Sequence, residues 1–376
     1  MKKSKIVIIC MAFSMSATTI FAQKAVNWKP NKDKQASILL FGDINIQNRE
    51  KPEDAFNKVV PTLKNADFRI GNLEGPFAGT TKDARYVDIP HKNKWRHSEP
   101  DQIKGIIAAN MSAVSVANNV TWPWEALMRS LAILEENDMP HAGGGENIEA
   151  AHKPVILEKN GIRIGFLAYA STVFPFKHAA TDSTPGVATV KVDTWYKPVK
   201  NLDKPGMPMD VMTKVQPAEL ERMIADIKEL NNKVDIVICS YHWGISHNPE
   251  LIDYQVEIAH AAVDAGADVI MGHGNHLIAA IETYNGKPVF YGLGNFAFDW
   301  YEMKGRNEGL MAKLDIKNKK IDRVSLVPLW RDKDNNPYFL DPNINEGLDI
   351  YNNLQKLTGD LSNLTLDENE IMVEIK

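Results

Sequence analysis

The chain has 376 residues, 44% of them apolar and 24% charged. That length supports a large core or two domains, and the balance is neither that of a disordered chain nor that of a collagen. A formal charge of −5, from 43 basic and 48 acidic residues, argues against a dedicated nucleic-acid binder, and two cysteines, Cys10 and Cys239, exclude a disulfide scaffold and a cysteine-rich zinc module.

Lys2, Lys3 and Lys5 precede an apolar run from Ile6 to Phe21 that Ser14, Ser16, Thr18 and Thr19 interrupt. The charged start, the short run and Ala22-Gln23 as a cleavage point predict a secretory signal over residues 1–22, with an uncleaved anchor as the alternative. Ile9 is too large for a lipoprotein signal around Cys10. Cleavage removes three lysines and no acidic residue, which leaves a charge of −8 and Cys239 as the remaining cysteine. The expected location is the periplasm or cell envelope.

Residues 23–35 read as a polar lead-in. Strands follow at Ala36 to Phe41, Phe68 to Leu73 and Met111 to Ala117, then a helix with apolar spacing from Ala126 to Leu134. Asn160-Gly161 turns the chain into a strand from Ile162 to Tyr169. Residues 175–216, rich in Pro, Gly, Lys and Asp, read as an insertion. Pro217 opens a helix with Leu220, Met223, Ile224, Ile227 and Leu230 on one face. A buried strand from Val234 to Ser240, a helix from Ile252 to Ala265 stopped by Gly266, and a strand from Asp268 to Met271 come next. Asn285-Gly286 between two apolar runs predicts a hairpin. The main domain spans 36–330, and residues 331–376 form a C-terminal tail expected to pack on it.

The apolar strands finish in residues of metal-ligand type: Asp43, Glu74, Asn119, His242 and His273, with His276 three residues on. In α/β sheets, sites form beyond the carboxyl ends of the strands. Taken singly, each of these residues is also an ordinary turn, cap or core group. In register, carboxylate and amide oxygens with neutral imidazoles suit Mn²⁺, Fe²⁺ or Zn²⁺, and a carboxylate shared by two ions allows two-metal hydrolysis.

The motifs Gly42-Asp43, Gly71-Asn72-Leu73-Glu74-Gly75-Pro76, Ala117-Asn118-Asn119, His242-Trp243-Gly244, Gly272-His273-Gly274-Asn275-His276 and Tyr291-Gly292-Leu293-Gly294-Asn295-Phe296-Ala297-Phe298-Asp299 occur in this order. Together they resemble the CapA family of capsule or poly-γ-glutamate biosynthesis proteins, a branch of the calcineurin-like metallophosphoesterases. The resemblance covers residues 36–330. It implies an α/β class fold, a four-layer α/β/β/α metallophosphoesterase-like sandwich, with a site for two divalent transition-metal ions (Mn, Fe or Zn). It implies Asp43 and His276 on one ion, Glu74 bridging, and Asn119, His242 and His273 on the other. Asn45 stands where many phosphoesterases have a histidine. Val120 replaces the family's histidine that contacts the scissile group, and Gly274 replaces a second histidine.

Asn45, Asn118, Arg85 and Trp243 are the candidate substrate contacts. Trp122, Trp124, Trp243 and Trp300 lie near the motifs, as pocket walls or as core. Cys239, inside a buried strand, reads as an inert small hydrophobe. Between Lys82 and His97, Lys82, Arg85, Lys92, Lys94 and Arg96 outweigh Asp83 and Asp88, a local charge of +3 where a polyanion or phosphate could enter or where a loop is simply solvated. The expected function is an exported CapA-like protein of capsule or poly-γ-glutamate metabolism with a dimetal hydrolase site, acting on a phosphoester or amide, its partners an anionic polymer or phosphoester and peripheral envelope machinery, with no nucleic acid. The alternative is a non-catalytic envelope protein of the same fold. If Val120 removes the acid, His91, His97 and His247 are the other candidate proton donors.

Overall fold

The computed structural model describes residues 34–79, 95–173, 176–198, 204–300, 303 and 306–375. The segment expected to be a signal, and the one with Lys82, Arg85, His91, Lys92 and Lys94, lie outside these. Two large sheets dominate the described residues. The larger runs in the order Leu364–Asp367, Glu370–Val373, Lys320–Arg331, Glu308–Lys317, Ala36–Asn45, Phe68–Leu73, Ala113–Ser115, His141–Ala142, with Asn295–Phe298 also paired to Ala36–Asn45 and Pro337–Phe339 to Lys320–Arg331. The smaller runs Ile281–Tyr284, Lys287–Phe290, Val269–His273, Ile236–His242, Ile162–Ala170, Val155–Lys159.

The two-residue period of a strand sorts side chains to opposite faces. Ile162, Ile164, Phe166, Ile236, Ile238, Val269 and Met271 of the smaller sheet share one core with Ile38, Leu40, Ile70 and Val114 of the larger. The intervening Leu167, Tyr169, Val237, Cys239, Tyr241 and Ile270 form a second core with Met223 and Ile227 of helix Pro217–Asn231 and Ile258 and Ala262 of helix Asp253–Ala265. All ten residues of Ala36–Asn45 are buried, so both faces of that strand are covered. Leu63, Ile103 and Ile106, from the helices Val60–Leu63 and Ile103–Ala108, join the core of the larger sheet. The architecture is a mixed α/β two-sheet fold, consistent with the four-layer order.

Local signals act as expected at several turns. Asn285 and Gly286 adopt φ of +49° and +73° between paired strands, and Gly266 ends its helix at +116°. The expected insertion at 175–216 is largely integrated: His178, Ala179, Val187 and Val190 are buried. The two-stranded arm Val192–Lys197 with Asp210–Val215 exposes the large apolar groups Trp195, Tyr196 and Val211. The C-terminal residues are part of the larger sheet, through the strands Leu364–Asp367 and Glu370–Val373, and add the helix Asn345–Thr358.

Candidate metal centre

Two strands of the smaller sheet deliver the histidines. Their side chains at 236, 238, 269 and 271 face the inter-sheet core, so parity places Ser240, His242 and His273 on that same face. His242 and His273 are register partners across the parallel pair. The larger sheet delivers the carboxylates. Asp43 stands opposite Asn72 on one neighbouring strand and Asn295 on the other, at a register shift in the pairing on both sides. That irregularity re-aims the residue, as bulges near active sites do. It depends on Gly42: a Cβ there would lie 1.8 Å from the Gly294 carbonyl oxygen.

The side chains converge. His242 Nδ1 and His273 Nδ1 are 3.1 Å apart, and His273 Nδ1 is 3.5 Å from Asp43 Oδ1. His276 Nδ1 lies 3.2 Å from Asp43 Oδ2, and its Nε2 lies 3.6 Å from Glu74 Oε1. Each of these five residues is at most 1% exposed. They fall into two groups able to hold an ion, Asp43 with His242 and His273, and Asp43 with Glu74 and His276, the ligand atoms within each group lying within 4.8 Å of one another. The carboxylate common to both groups is Asp43, whereas the resemblance implies Glu74 in the bridging place.

Surrounding groups hold this set. Asn72 Nδ2 donates to Asp43 Oδ1 at 2.7 Å, and the Gly274 backbone N–H donates to Oδ2 at 3.2 Å. Ser240 Oγ lies 2.6 Å from His273 Nε2, and Asn295 Oδ1 lies 3.0 Å from His276 Nδ1. Burial pushes the Asp43 carboxyl up, but the His276 hydrogen bond and the imidazoles of His276, His273 and His242 outweigh it and hold the group well below the usual carboxylate range. Burial pushes His273 down to about 4, against the pull of Asp43. An ionised carboxylate beside a neutral imidazole, here Asp43 and His273, is the ligating protonation state.

Asn119 Oδ1 is buried and meets no hydrogen-bond partner among the described residues. Its neighbour Asn118 is used internally: Nδ2 donates to the Leu73 carbonyl at 2.8 Å, and Oδ1 accepts from the Val120 N–H. Asn118 therefore ties the Asn119 loop to the strand before Glu74 and does not offer itself to a substrate. Asn45 Nδ2 donates to the Glu74 carbonyl at 2.6 Å, while Asn45 Oδ1 is buried without a partner among the described residues. The carboxylate oxygens of Asp43 and Glu74 with the imidazole nitrogens of His242, His273 and His276 are a donor set that fits a divalent ion.

The expectations for Asn118 and Trp243 as substrate contacts change. Trp243 is not a substrate contact. Parity puts it on the opposite face of the sheet, where it is fully buried, donates from Nε1 to the Tyr291 carbonyl at 2.9 Å and stacks on Tyr241 with ring centroids 4.9 Å apart. Val120 does not edge an open pocket. It is fully buried in an apolar cluster with Trp95, Phe298, Trp300 and Met303, so Trp300 too is packed. Asp299, the last residue of its motif, is held by Arg49, with Nε to Oδ2 at 2.8 Å and Nη2 to Oδ1 at 2.6 Å. It also accepts from the Gln47 N–H, and so anchors the loop after Asn45. Arg85 lies outside the described residues.

Sequence reasoning left Asn72, Ser240 and Asn295 without roles. Ser240 had a signal, because it lies two residues before His242 on a strand and must share its face. A cavity of about 740 Å³ beside Met128, Glu135, His141 and Lys153 shares no residue with the ligand groups.

The model of the family described as bacterial capsule synthesis protein PGA_cap matches residues 26–300. The capsule biosynthesis protein CapA of Bacillus anthracis is 25% identical over 312 residues, 80% of this chain and 69% of that protein. The PGA biosynthesis protein CapA of Bacillus subtilis is 26% identical over 311 residues, 80% and 73% of the two chains. A solved phosphatase from Mycoplasma pneumoniae is 11% identical, covering 78% of this chain and 93% of its own, with a TM-score of 0.45. With a family model matched across most of its length, this chain belongs to the bacterial capsule synthesis protein PGA_cap family.

Proposed function

We propose that this protein serves capsule or polyglutamate biosynthesis as a metal-dependent hydrolase of the cell envelope, acting on a phosphoester or an amide associated with an anionic polymer. The observation that carries the reading is the double ligand group around Asp43, with His242 and His273 on one side and Glu74 and His276 on the other. The names of the Bacillus relatives supply the biosynthetic context. Divalent ions held there supply Lewis-acid activation of water and stabilisation of negative charge developing on the substrate.

The chain's own residues divide the remaining work. Asp43, kept ionised, and His273, kept neutral, accept a cation without first releasing protons at neutral pH. Asn119 and Asn45 each offer a buried amide oxygen as a further ligand or as an acceptor for substrate. Val120 can neither donate nor accept a proton. His97 is a poor acid, since burial pushes it down to about 4 against the Trp122 backbone. His247, its ring centroid 6.1 Å from that of His276, is the group we assign to protonate the leaving atom.

Turnover by the full chain with added Mn²⁺, on aryl phosphates of graded leaving-group pKa and on γ-glutamyl peptides, tests the reading. Metal-dependent hydrolysis that falls by about 10²–10⁴ in His247→Gln on poor leaving groups, with metal content unchanged, is the expected result. Metal binding without turnover of either class overturns the hydrolase and favours the second reading, a non-catalytic binding protein. The apolar packing of Val120 is the observation on that side.

We also propose export by the segment 1–22. N-terminal sequencing of the envelope fraction is expected to begin at Gln23. An intact Met1 means a retained anchor instead. Among the described residues, no helix is long and apolar enough to cross a membrane.

A further inference from the structure

The two histidines of the Gly272–His276 turn present opposite ring nitrogens to the ligand groups. His273 turns Nδ1 toward His242 Nδ1 and Asp43 Oδ1, and its Nε2 lies 2.6 Å from Ser240 Oγ. His276 turns Nε2 toward Glu74 Oε1, while its Nδ1 lies 3.0 Å from Asn295 Oδ1. Ser240 and Asn295 are both fully buried, and they sit in different sheets.

A neutral imidazole carries its proton on one nitrogen, and only the other nitrogen has a lone pair for a ligand. Nδ1 of His276 lies 3.0 Å from the Asn295 oxygen and 3.2 Å from the ionised Asp43 Oδ2, both acceptors only, so it carries the proton between them and the lone pair falls on Nε2. For His273 the argument runs through crowding. Its Nδ1 faces another imidazole nitrogen at 3.1 Å and a carboxylate oxygen at 3.5 Å. The ring can turn a lone pair on that side toward a shared cation only if its proton sits on Nε2, where the Ser240 hydroxyl accepts it.

We propose that Ser240 and Asn295 are positioning residues that fix opposite tautomers: His273 ligates through Nδ1 and His276 through Nε2. The proposal rests on the metal-centre reading above and adds to it the residues that choose each ligating atom. It also explains why a serine stands on an otherwise apolar strand face, Ile236–Ile238–Ser240, and why Asn295 is buried at the register partner of Asp43. Outer partners of this kind orient the ring and raise its basicity, and their loss costs about 10–100-fold in metal affinity.

The test uses the full chain with Zn²⁺ as the probe, in the variants Ser240→Ala, Ser240→Thr and Asn295→Ala. Chelator competition is expected to show Ser240→Ala weakening one of two binding steps about 10–100-fold. Ser240→Thr, which keeps the hydroxyl, should restore it. Asn295→Ala should weaken the other step. The second readout needs no metal: ¹⁵N-histidine NMR of the zinc-free chain should show His273 as the Nε2–H tautomer, and a mixture in Ser240→Ala. A folding defect would not shift that ratio in a chain of unchanged melting temperature. An unchanged tautomer in Ser240→Ala, or a Thr variant as weak as the Ala variant, overturns the proposal. A wild-type chain that binds no Zn²⁺ overturns the metal-centre reading, and the tautomer ratio then decides the lock by itself.

Discussion

Asp43→Asn is expected to abolish binding at both halves of the metal centre at once. The side chain belongs to both ligand groups and receives hydrogen bonds from Asn72 and from the Gly274 N–H. Asparagine keeps the volume and removes the charge, so the packing of the fully buried position survives. Its amide also places donors where the Gly274 N–H and the imidazoles need an acceptor. Affinity for both ions should fall by more than about 100-fold, beyond what loss of an outer partner produces. A ligand present at 100 times its dissociation constant stabilises the native state by about 2.7 kcal/mol. That increment should appear in wild type as a chelator-sensitive rise in melting temperature and vanish in Asp43→Asn. Metal analysis and thermal melts with and without chelator check it. A variant that retains one full equivalent would show that Asp43 is not shared.

Gly274→Ala should remove one half of the centre and leave the other. Gly274 has φ of +101°, and a Cβ there would sit 2.9–3.0 Å from three atoms of the His242 ring. The methyl must push that imidazole off His273 Nδ1, since the three atoms nearest to it all belong to His242. Backbone strain adds a cost of order 1–3 kcal/mol in stability. The expected product is a folded, less stable chain with about half the metal content of wild type, against none for Asp43→Asn. Equal metal content in Gly274→Ala and wild type would refute the steric account. The same geometry explains why the family's histidine has no place here: with this backbone, a side chain at 274 collides with a ligand.

Much of the centre was legible before any coordinates. Asp43, Glu74, His242 and His273 each close an apolar run, with His276 three residues on, and the fold brings all five together. The turns at Asn160-Gly161 and Asn285-Gly286 follow from residues that adopt positive φ at low cost, which is local chemistry. Parity along a strand is equally local: with His242 facing the inter-sheet core, Trp243 had to face the helices, and Ser240 had to accompany His242.

What only the tertiary structure decided depends on distance along the chain. Asp43 reaches both ligand groups because its strand shifts register between neighbours from residue 72 and residue 295, with Gly42 against Gly294. Val120 is sealed by Trp95, Phe298 and Trp300, residues from both ends of the domain. Asp299 is an anchor because Arg49, 250 positions earlier, folds onto it with two hydrogen bonds. A sequence fixes which residues carry oxygen and nitrogen donors and on which face of a strand they fall, because propensity and parity act over a few residues. Whether such a residue meets an ion, another side chain or an apolar wall is set by which distant strand packs opposite, and that choice is made by burial of the two shared cores as a whole.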